Sequence, residues 1–304
     1  MEYFNKGSSR ALKLTVKHDR IRDLKRGYPW IFAHSLIETP KAPPGTFALL
    51  RDEQGNFIAK GMYDPTWPIV FRACALNEEF NAELVASRLK RAIDLRSTVL
   101  SKETNACRLI NGEGDGLPGL VCDAFSDIGI LQLDGAGPAA FWRVAEIAEW
   151  LKHNTNLKNI YLKPRSDSKG DSKGQSGRVL LGKAPAGNTA FLEQSVKFEA
   201  DLIEGQKSGF FLDQRENRQR IRSLAADKNV LNLFGYTGGF SVYAGLGGAK
   251  RVVTVDIARP AIKASERNWE LNGLSPKLHA ALALNAFDYL QGLEITELFD
   301  IVIA

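Results

Sequence analysis

The chain has few cysteines and histidines, and no N-terminal apolar run resembles a signal peptide. Its 304 residues include three cysteines and four histidines. Cys74, Cys107 and Cys122 show neither zinc-ligand spacing nor a paired disulfide framework, so we interpret each as a buried structural thiol. The histidines are scattered, and no metal site is expected. Without a targeting segment, we expect a cytoplasmic protein.

Long apolar runs are also lacking. The longest candidate is the uncharged stretch Asn229 to Ala249, which contains six glycines together with Asn232, Thr237 and Ser241. A membrane span requires a predominantly apolar run of about 20 residues. We therefore reject a membrane span and expect no membrane association.

The composition that remains is that of an ordinary soluble protein. Hydrophobic residues make up 44% and charged residues 25% of a chain long enough for two or three domains. The net charge of +5 and a pI near 9.0 favour a polyanionic partner mildly, because many basic proteins bind no nucleic acid.

Residues 11–76 are predicted to form a small β-rich module. Leu12, Leu14 and Val16 alternate with polar residues, and further strands are predicted over 46–51, 57–63 and 69–74. Four cations precede Tyr28-Pro29-Trp30 and are candidates for RNA contact beside stacking aromatics: Arg20, Arg22, Lys25 and Arg26. The alternative is a solvated basic turn with Trp30 and Phe32 in the core.

Residues 77–193 are predicted to form an α+β region. One long helix is expected over 79–100 and another over 139–152. The acidic, glycine-rich loop 111–119 lacks the ligand spacing of a calcium loop and is interpreted as a tight turn. Residues 165–177 repeat Asp-Ser-Lys-Gly and are predicted to be a mobile loop.

Residues 194–304 begin with a strand and a distinctive block, 206–218. Asp213 and Glu216 have the spacing of a capping box, which predicts a helix to about residue 226. Arg215, Arg218 and Arg222 would share one face of that helix. Either a polyanion contact or a solvated face would explain these arginines, and we carry Arg218 and Arg222 as RNA-binding candidates.

The most informative segment, 229–256, reads as strand, glycine-rich turn, helix and strand. Gly235, Gly238 and Gly239 would let the backbone turn and approach a ligand closely, and Asp256 ends the second strand. This order and spacing are typical of a nucleotide-binding βαβ unit, in which the acid binds ribose hydroxyls. We therefore expect a nucleoside cofactor. The alternative is a glycine-rich turn without a ligand, since the glycines do not spell G-x-G-x-x-G.

Four blocks carry a resemblance to a known family. SGFFLDQRENR (208–218), NLFGYTGGFSVYA (232–244), VVTVDIA (252–258) and FDIVIA (299–304) resemble the bacterial 23S ribosomal RNA cytosine-C5 methyltransferases with an N-terminal PUA domain. INGEGDGLPGLVCD (110–123) is similar to the loop of that family's central domain. The resemblance implies an α/β fold: a β-rich PUA-like domain, a small central α+β domain and a Rossmann-like class I methyltransferase domain.

The resemblance also implies the cofactor, S-adenosylmethionine (SAM), and its contacts. The turn Phe234, Gly235, Tyr236, Thr237, Gly238 and Gly239 would hold the methionine part. Asp256, with Ile257 beside it, would bind the ribose, and Asn285, Ala286 and Phe287 would lie at the adenine. The family tends to have Asp where Asn285 stands. Gln206, Asp213, Gln214 and Arg215 would close the pocket from the side.

The chain departs from the family pattern after FDIVIA. Family members continue with Asp-Pro-Pro at the target base and, later, the cysteine that attacks cytosine C6; neither is present among these residues. The three cysteines match no family nucleophile. We expect a methyltransferase domain that is incomplete after its fourth strand, and a 304-residue form without turnover.

Three functions remain in view. The leading hypothesis is a SAM-dependent RNA methyltransferase acting on large-subunit ribosomal RNA. The second is a non-catalytic RNA-binding protein, and the third, less favoured, is a nicotinamide-dependent oxidoreductase that shares the βαβ unit. RNA is the expected partner, and a homodimer is compatible with the sequence.

Overall fold

The computed structural model describes residues 2–6, 11–164, 177–293 and 298–304. The chain divides into two compact units: Met1–Leu100 with Cys107–Ala184, and Ser101–Ala106 with Pro185–Ala304. The domain predicted over 11–76 and most of the one predicted over 77–193 lie in the first unit, whereas residues 101–106 and 185–193 lie in the second. The boundary predicted at 194 falls inside a hairpin of the second unit. Residues 165–176 of the predicted mobile loop lie outside the described residues.

The first half of the first unit is a β-sheet module with one basic helix. Its elements are β1 (Leu12–Thr15), α1 (His18–Lys25), β2 (Trp30–Phe32), β3 (Thr46–Arg51), β4 (Phe57–Tyr63) and β5 (Ile69–Leu76). The strand order is β1-β3-β4-β5-β2, so β2 lies at an edge. Leu14, Leu50 and Phe71 are fully buried in its core. The segment predicted as a basic turn is mostly the helix α1.

The second half of the first unit contains a second sheet with helices. Its elements are α2 (Ala82–Ser97), β6 (Ala106–Asn111), β7 (Leu120–Phe125), β8 (Ile128–Leu133), α3 (Ala136–Phe141), α4 (Val144–Asn154), β9 (Asn159–Leu162) and β10 (Arg178–Leu181). The strand order is β10-β9-β8-β7-β6. The helix α2 begins after Asn81, whose side chain accepts a hydrogen bond from the Leu84 N–H.

The prediction of one helix over 139–152 is wrong. The helix α3 ends at Phe141, and Trp142 is extended, with φ −80° and ψ 133°. The Trp142 indole is buried and donates to the Pro118 carbonyl at 2.9 Å. Burial of this large side chain, with its N–H satisfied, holds the backbone between α3 and α4 out of the helical conformation.

The second unit contains a hairpin and a parallel sheet with helices. Its elements are β11 (Asn188–Glu193), β12 (Val196–Asp201), α5 (Arg215–Leu224), β13 (Asn229–Leu233), α6 (Gly239–Leu246), β14 (Arg251–Asp256), α7 (Arg259–Leu271), β15 (His279–Ala283), α8 (Ala286–Gln291) and β16 (Ile301–Ile303). The strands β11 and β12 form the antiparallel hairpin. The parallel strands follow the order β15-β14-β13-β16, as in a nucleotide-binding doubly wound sheet.

Alternate residues of β13 and β14 pack on opposite faces of this sheet. Val230 and Val252 lie in one apolar cluster with Trp269, whereas Leu231 and Val253 lie in another with Ala286. Burial on both faces is what a parallel sheet requires. The uncharged stretch 229–249 folds as β13, a turn and α6. Within the described ranges, no helix has the length and apolarity that crossing a bilayer requires.

Candidate functional site

The turn between β13 and α6 has an unusual backbone. Phe234 and Tyr236 have φ values of 53° and 48°, and Gly238 has 76°. A left-handed backbone conformation is strained for residues other than glycine. A Cβ on Gly235 would lie 2.5 Å from Thr254 Cγ2, and one on Gly238 would lie 2.1 Å from Ser265 Oγ. The turn therefore requires glycine at both positions.

The carboxylate of Asp256 lies against this turn. Its Oδ2 accepts a hydrogen bond from the Tyr236 N–H at 2.9 Å, and its Oδ1 accepts one from the Ala258 N–H at 2.9 Å. Each carboxylate oxygen can accept a second hydrogen bond. The acid is thus held at the carboxyl edge of the sheet with acceptor capacity remaining for a pair of hydroxyls.

Large apolar side chains are exposed at the same edge. Phe234, Ile257 and Phe287 are 57%, 72% and 66% exposed. The rings of Phe234 and Phe287 are 6.1 Å apart and meet edge to face. Asn285 caps α8, because its Oδ1 accepts from the Phe287 N–H at 2.8 Å, and Ala286 is buried beneath. These residues offer apolar surfaces and an amide to a planar base.

The segment before α5 reaches the turn from the side. The Gln206 N–H donates to Tyr236 Oη at 2.8 Å, and the rings of Phe211 and Tyr236 are 5.5 Å apart. Burial is the largest cause that raises the Tyr236 pKa. The phenol therefore stays neutral at neutral pH and can fasten this segment.

The predicted capping box at Asp213 and Glu216 is wrong. Residues Leu212–Gln214 form a 3₁₀ turn, and Gln214, the residue before α5, caps it without a side-chain hydrogen bond. Asp213 instead lies 4.0 Å from Lys207 Nζ, and Arg215 pairs with Glu216. The 3₁₀ turn moves Asp213 outside the capping position.

Arg218 is not a surface cation, and its assignment to RNA contact is corrected. It is 2% exposed, and its guanidinium donates to both carboxylate oxygens of Glu193, at 2.7 and 2.6 Å. It also donates to the Phe211 carbonyl at 2.9 Å. Arg222, on the same helix, is partly exposed.

The basic and aromatic residues of the first unit line a cleft of about 400 Å³. Arg20 and Arg26 lie beside Tyr28, Trp30 and Phe32 in this lining, whereas Arg22 and Lys25 are exposed on α1. The sequence left two alternatives for the aromatics, exposed rings available for stacking or rings in the core, and the structure has features of both. Tyr28 is exposed, and Trp30 and Phe32 are half-buried.

Trp30 is held in place by a loop that the sequence marked only as a tight turn. Its indole N–H donates to Glu113 Oε1 at 2.7 Å, and Glu113 also pairs with the buried Arg72. Arg72 lies over the Trp30 ring and donates to Asp134 at 2.8 Å. These contacts fix the orientation of the Trp30 ring in the wall of the cleft.

A buried polar chain beneath the turn was missed by sequence reasoning. The Asn232 amide donates to Ser241 Oγ at 2.9 Å, Ser241 Oγ lies 2.6 Å from Thr254 Oγ1, and Thr254 Oγ1 lies 2.7 Å from His279 Nε2. Burial lowers the His279 pKa to about 4, so its neutral ring can accept from Thr254. Isolated polar residues in apolar strands were the only signal in the sequence.

The three cysteines are all buried. Burial raises the pKa of Cys74 to about 12 and raises that of Cys122 as well. These two thiols are therefore protonated at neutral pH and far from nucleophilic. Within the part of the chain that the structure describes, no group of three or more His, Cys, Asp or Glu is placed to hold a metal.

Comparisons with known proteins agree with this geometry. A family model described as S-adenosylmethionine-dependent methyltransferase matches residues 169–304, and one described as PUA-like domain matches residues 14–74. A ribosomal RNA large subunit methyltransferase of Deinococcus radiodurans is 30% identical over 304 residues, covering 93% of this chain and 72% of that protein. Ribosomal RNA large subunit methyltransferase I of Vibrio cholerae is 34% identical over 273 residues, covering 88% and 68%.

Solved structures described as methyltransferases have a similar fold. A protein of Streptococcus mutans described as a SAM-dependent methyltransferase has a TM-score of 0.84 and 25% identity, covering 96% of this chain and 76% of that one. A structure described as a methyltransferase complexed with S-adenosylhomocysteine (SAH) also has a TM-score of 0.84 and covers 96% of this chain and 75% of that one.

Fold and site together define a SAM-dependent methyltransferase with an N-terminal PUA-like domain. The chain belongs to the family that includes these ribosomal RNA large subunit methyltransferases. The predicted α/β fold, family and cofactor are confirmed.

Proposed function

We propose that the protein transfers a methyl group from SAM to C5 of a cytosine in large-subunit ribosomal RNA. The observation that carries the proposal is the hydrogen bond from the Tyr236 N–H to Asp256, which joins the glycine turn to the acid at one sheet edge. The names of the relatives, ribosomal RNA large subunit methyltransferases, support the substrate class.

Each part of the cofactor is assigned to one part of this edge. The turn Phe234–Gly239 takes the methionine portion, whose carboxylate suits the N–H groups at the start of α6. Asp256 takes the ribose hydroxyls, and Ile257 with Asn285–Phe287 takes the adenine. Gln206 and Asp213–Arg215 close the cofactor pocket from the side. The bound cofactor supplies the methyl group from its sulfonium, and the protein supplies position.

Methylation at cytosine C5 requires a thiolate that adds to C6 and a base that later removes the C5 proton. Cys74, Cys107 and Cys122 are buried, and burial raises the pKa of Cys74 and Cys122. We infer that all three are structural and that none is this nucleophile.

The cleft lined by Arg20, Arg26, Tyr28, Trp30 and Phe32 is assigned to single-stranded RNA. The exposed Tyr28 ring and the half-buried Trp30 and Phe32 rings can stack an unpaired base. The guanidinium groups of the cleft can contact phosphates. Arg22 and Lys25 extend the positive charge along α1, and Arg222 provides a further candidate contact on α5.

Two experiments test the proposal. Equilibrium dialysis should show that the 304-residue chain retains labelled SAM; RNA binding without SAM binding would favour the non-catalytic alternative. Deleting the gene in the source organism should remove 5-methylcytidine at one position of the large-subunit ribosomal RNA, detected by mass spectrometry of RNA fragments. An unchanged set of 5-methylcytidines would refute the assigned acceptor atom.

A further inference from the structure

Asn268 on α7 and Asn272, the residue that caps the end of α7, hold the backbone of β12 by their side-chain amides. Asn272 Oδ1 accepts from the Lys197 N–H at 3.0 Å, and its Nδ2 donates to the Lys197 carbonyl at 2.8 Å. Asn268 Oδ1 accepts from the Glu199 N–H at 2.8 Å, and its Nδ2 lies 3.4 Å from the Glu199 carbonyl. Each amide thus occupies the place of a neighbouring strand.

The spacing explains why both asparagines fit. Four helical residues rise about 6 Å, and two strand residues rise about 6.7 Å, so residues 268 and 272 on the helix match 199 and 197 on the strand. The other edge of β12 pairs with β11. The two amides therefore satisfy backbone groups that an unpaired strand edge would leave open.

Of these two asparagines, Asn268 is the one that also bonds the glycine-rich turn Phe234–Gly239. Its Nδ2 donates to the Thr237 carbonyl at 3.0 Å, a shorter distance than that to Glu199. Asn268 is fully buried. Because an amide NH₂ has two hydrogens, it can serve both carbonyls.

The bond fixes one peptide plane of the turn. The Thr237 carbonyl and the Gly238 N–H belong to the same planar group. The Gly238 N–H donates to the Gly235 carbonyl at 2.9 Å, so the plane is held at both ends. Gly238 immediately precedes α6, and this plane therefore sets the direction in which the first N–H groups of α6 point.

We propose that Asn268 is a positioning residue for the methionine end of SAM, acting through the Thr237 carbonyl. The proposal rests on the assignment of the turn to the methionine portion. Asn272 is a natural control, because it makes the same contacts with β12 and its side-chain amide bonds Lys197 and the Asn268 carbonyl, not the turn.

The test compares two ligands and two variants by isothermal titration calorimetry. SAH carries the amino-acid portion, and 5′-methylthioadenosine lacks it. Asn268→Ala should weaken SAH binding about tenfold and methylthioadenosine binding less than about twofold, since one buried hydrogen bond near the amino-acid portion is lost. Asn272→Ala should change neither affinity by more than about twofold.

Equal weakening of both ligands by Asn268→Ala would indicate a loosened domain and overturn the proposal, as would an equal effect of Asn272→Ala. A third outcome concerns the wild-type chain. If it binds SAH no more tightly than methylthioadenosine, the assignment of the turn to the methionine portion fails, and this result is distinguishable from a failure of the role of Asn268.

A measurement on the wild-type chain covers the case in which Asn268→Ala does not fold. Residue-resolved hydrogen exchange is recorded with and without SAH. SAH should slow exchange of the Glu199 N–H, which Asn268 binds, more than that of the Lys197 N–H, which Asn272 binds. Equal changes at the two amides would overturn the proposal.

Discussion

The Tyr236 backbone N–H and the Asp256 carboxylate are joined by a hydrogen bond of 2.9 Å. This bond connects the turn after β13 to the end of β14, so the two predicted halves of the cofactor site form one structure. It also orients the acid before any ligand arrives. Preorganised acceptors bind a ligand without the free energy of first ordering the side chain.

Replacing the acid should remove cofactor binding selectively. Asp256→Asn keeps the side-chain shape and removes the charge that strengthens hydrogen bonds to the ribose hydroxyls. We expect SAH affinity to fall about 10- to 100-fold, measured by calorimetry. The control is Asp227→Asn, because Asp227 is an exposed acid in a left-handed conformation that asparagine tolerates. A similar loss in both variants would contradict the assignment.

Gly238 and Gly248 provide a matched pair for the turn. Both have positive φ, 76° and 85°, but a Cβ on Gly238 would lie 2.1 Å from Ser265 Oγ, whereas one on Gly248 would have only Ala226 Cα at 3.8 Å. Gly248→Ala should cost about 1–2 kcal/mol of unfolding free energy through backbone strain alone. Gly238→Ala should lower the free energy of unfolding, measured in denaturant, by clearly more than Gly248→Ala does. It should also weaken SAH binding. Equal costs would mean that Ser265 moves away freely.

The buried ion pair of Arg218 and Glu193 should be essential for stability. Their side chains are 2% and 1% exposed. Arg218→Met leaves the Glu193 carboxylate without its partner and should lower the free energy of unfolding by about 3–5 kcal/mol. Adding Glu193→Gln should restore part of this loss.

The matched surface pair is Lys90 and Asp94 on α2, at 2.6 Å. Because both side chains are exposed, Lys90→Met should change the free energy of unfolding by about 0.5 kcal/mol or less. Urea unfolding followed by circular dichroism measures the free energy of unfolding of Arg218→Met and of Lys90→Met. A small effect of Arg218→Met would show that water reaches Glu193.

His279 should make the stability depend on pH. Burial lowers its pKa to about 4 in the folded chain, from 6.5 when unfolded. Above pH 6.5 the ring is neutral in both states and the stability is at its full value. Between pH 6.5 and about 4 the unfolded chain binds the proton first, so about 3 kcal/mol is lost as pH falls.

His279→Gln retains an acceptor for Thr254 and removes the titration, so urea unfolding should show a flatter profile between pH 4 and 6.5. His153→Gln, at an exposed position of α4, should leave the wild-type slope unchanged. A wild-type slope in His279→Gln would assign the pH dependence to other groups.

The cleft of the first unit should bind RNA partly through charge. Arg26→Ala should weaken binding to single-stranded RNA and lower the slope of log K against log salt by about 0.7, the value expected for one lost phosphate contact. Arg91→Ala, which removes an exposed arginine of α2, is the control. Fluorescence anisotropy across a salt series measures both, and an unchanged slope in Arg26→Ala would exclude a phosphate contact.

Local order along the chain was predictable where one physical rule dominates. Residues 229–256 were predicted as strand, turn, helix and strand, and the structure has this order. Apolar runs indicate buried strands and glycines indicate turns, so both can be read from contiguous residues. Pro260 is a helix-start signal and Asn272-Gly273 a helix-stop signal, and together they predict a helix that agrees with α7, since such signals act within one turn. Burial of β13 and β14 on both faces agrees with their largely apolar composition.

Other features depended on contacts between distant residues. Arg218 was placed on a surface face by its spacing, but Glu193 lies 25 positions earlier and holds it in the core. The helix predicted over 139–152 is interrupted because the buried Trp142 finds its acceptor at Pro118.

The sequence by itself determined the family, the glycine-rich turn after β13 and the acid that ends β14, because these are encoded in contiguous residues with fixed spacing. Only the tertiary structure decided which polar residues are buried partners: Arg218 with Glu193, Asn268 with Thr237, and His279 with Thr254. Burying a polar group is favourable only when a partner completes its hydrogen bonds, and that partner is chosen by the fold.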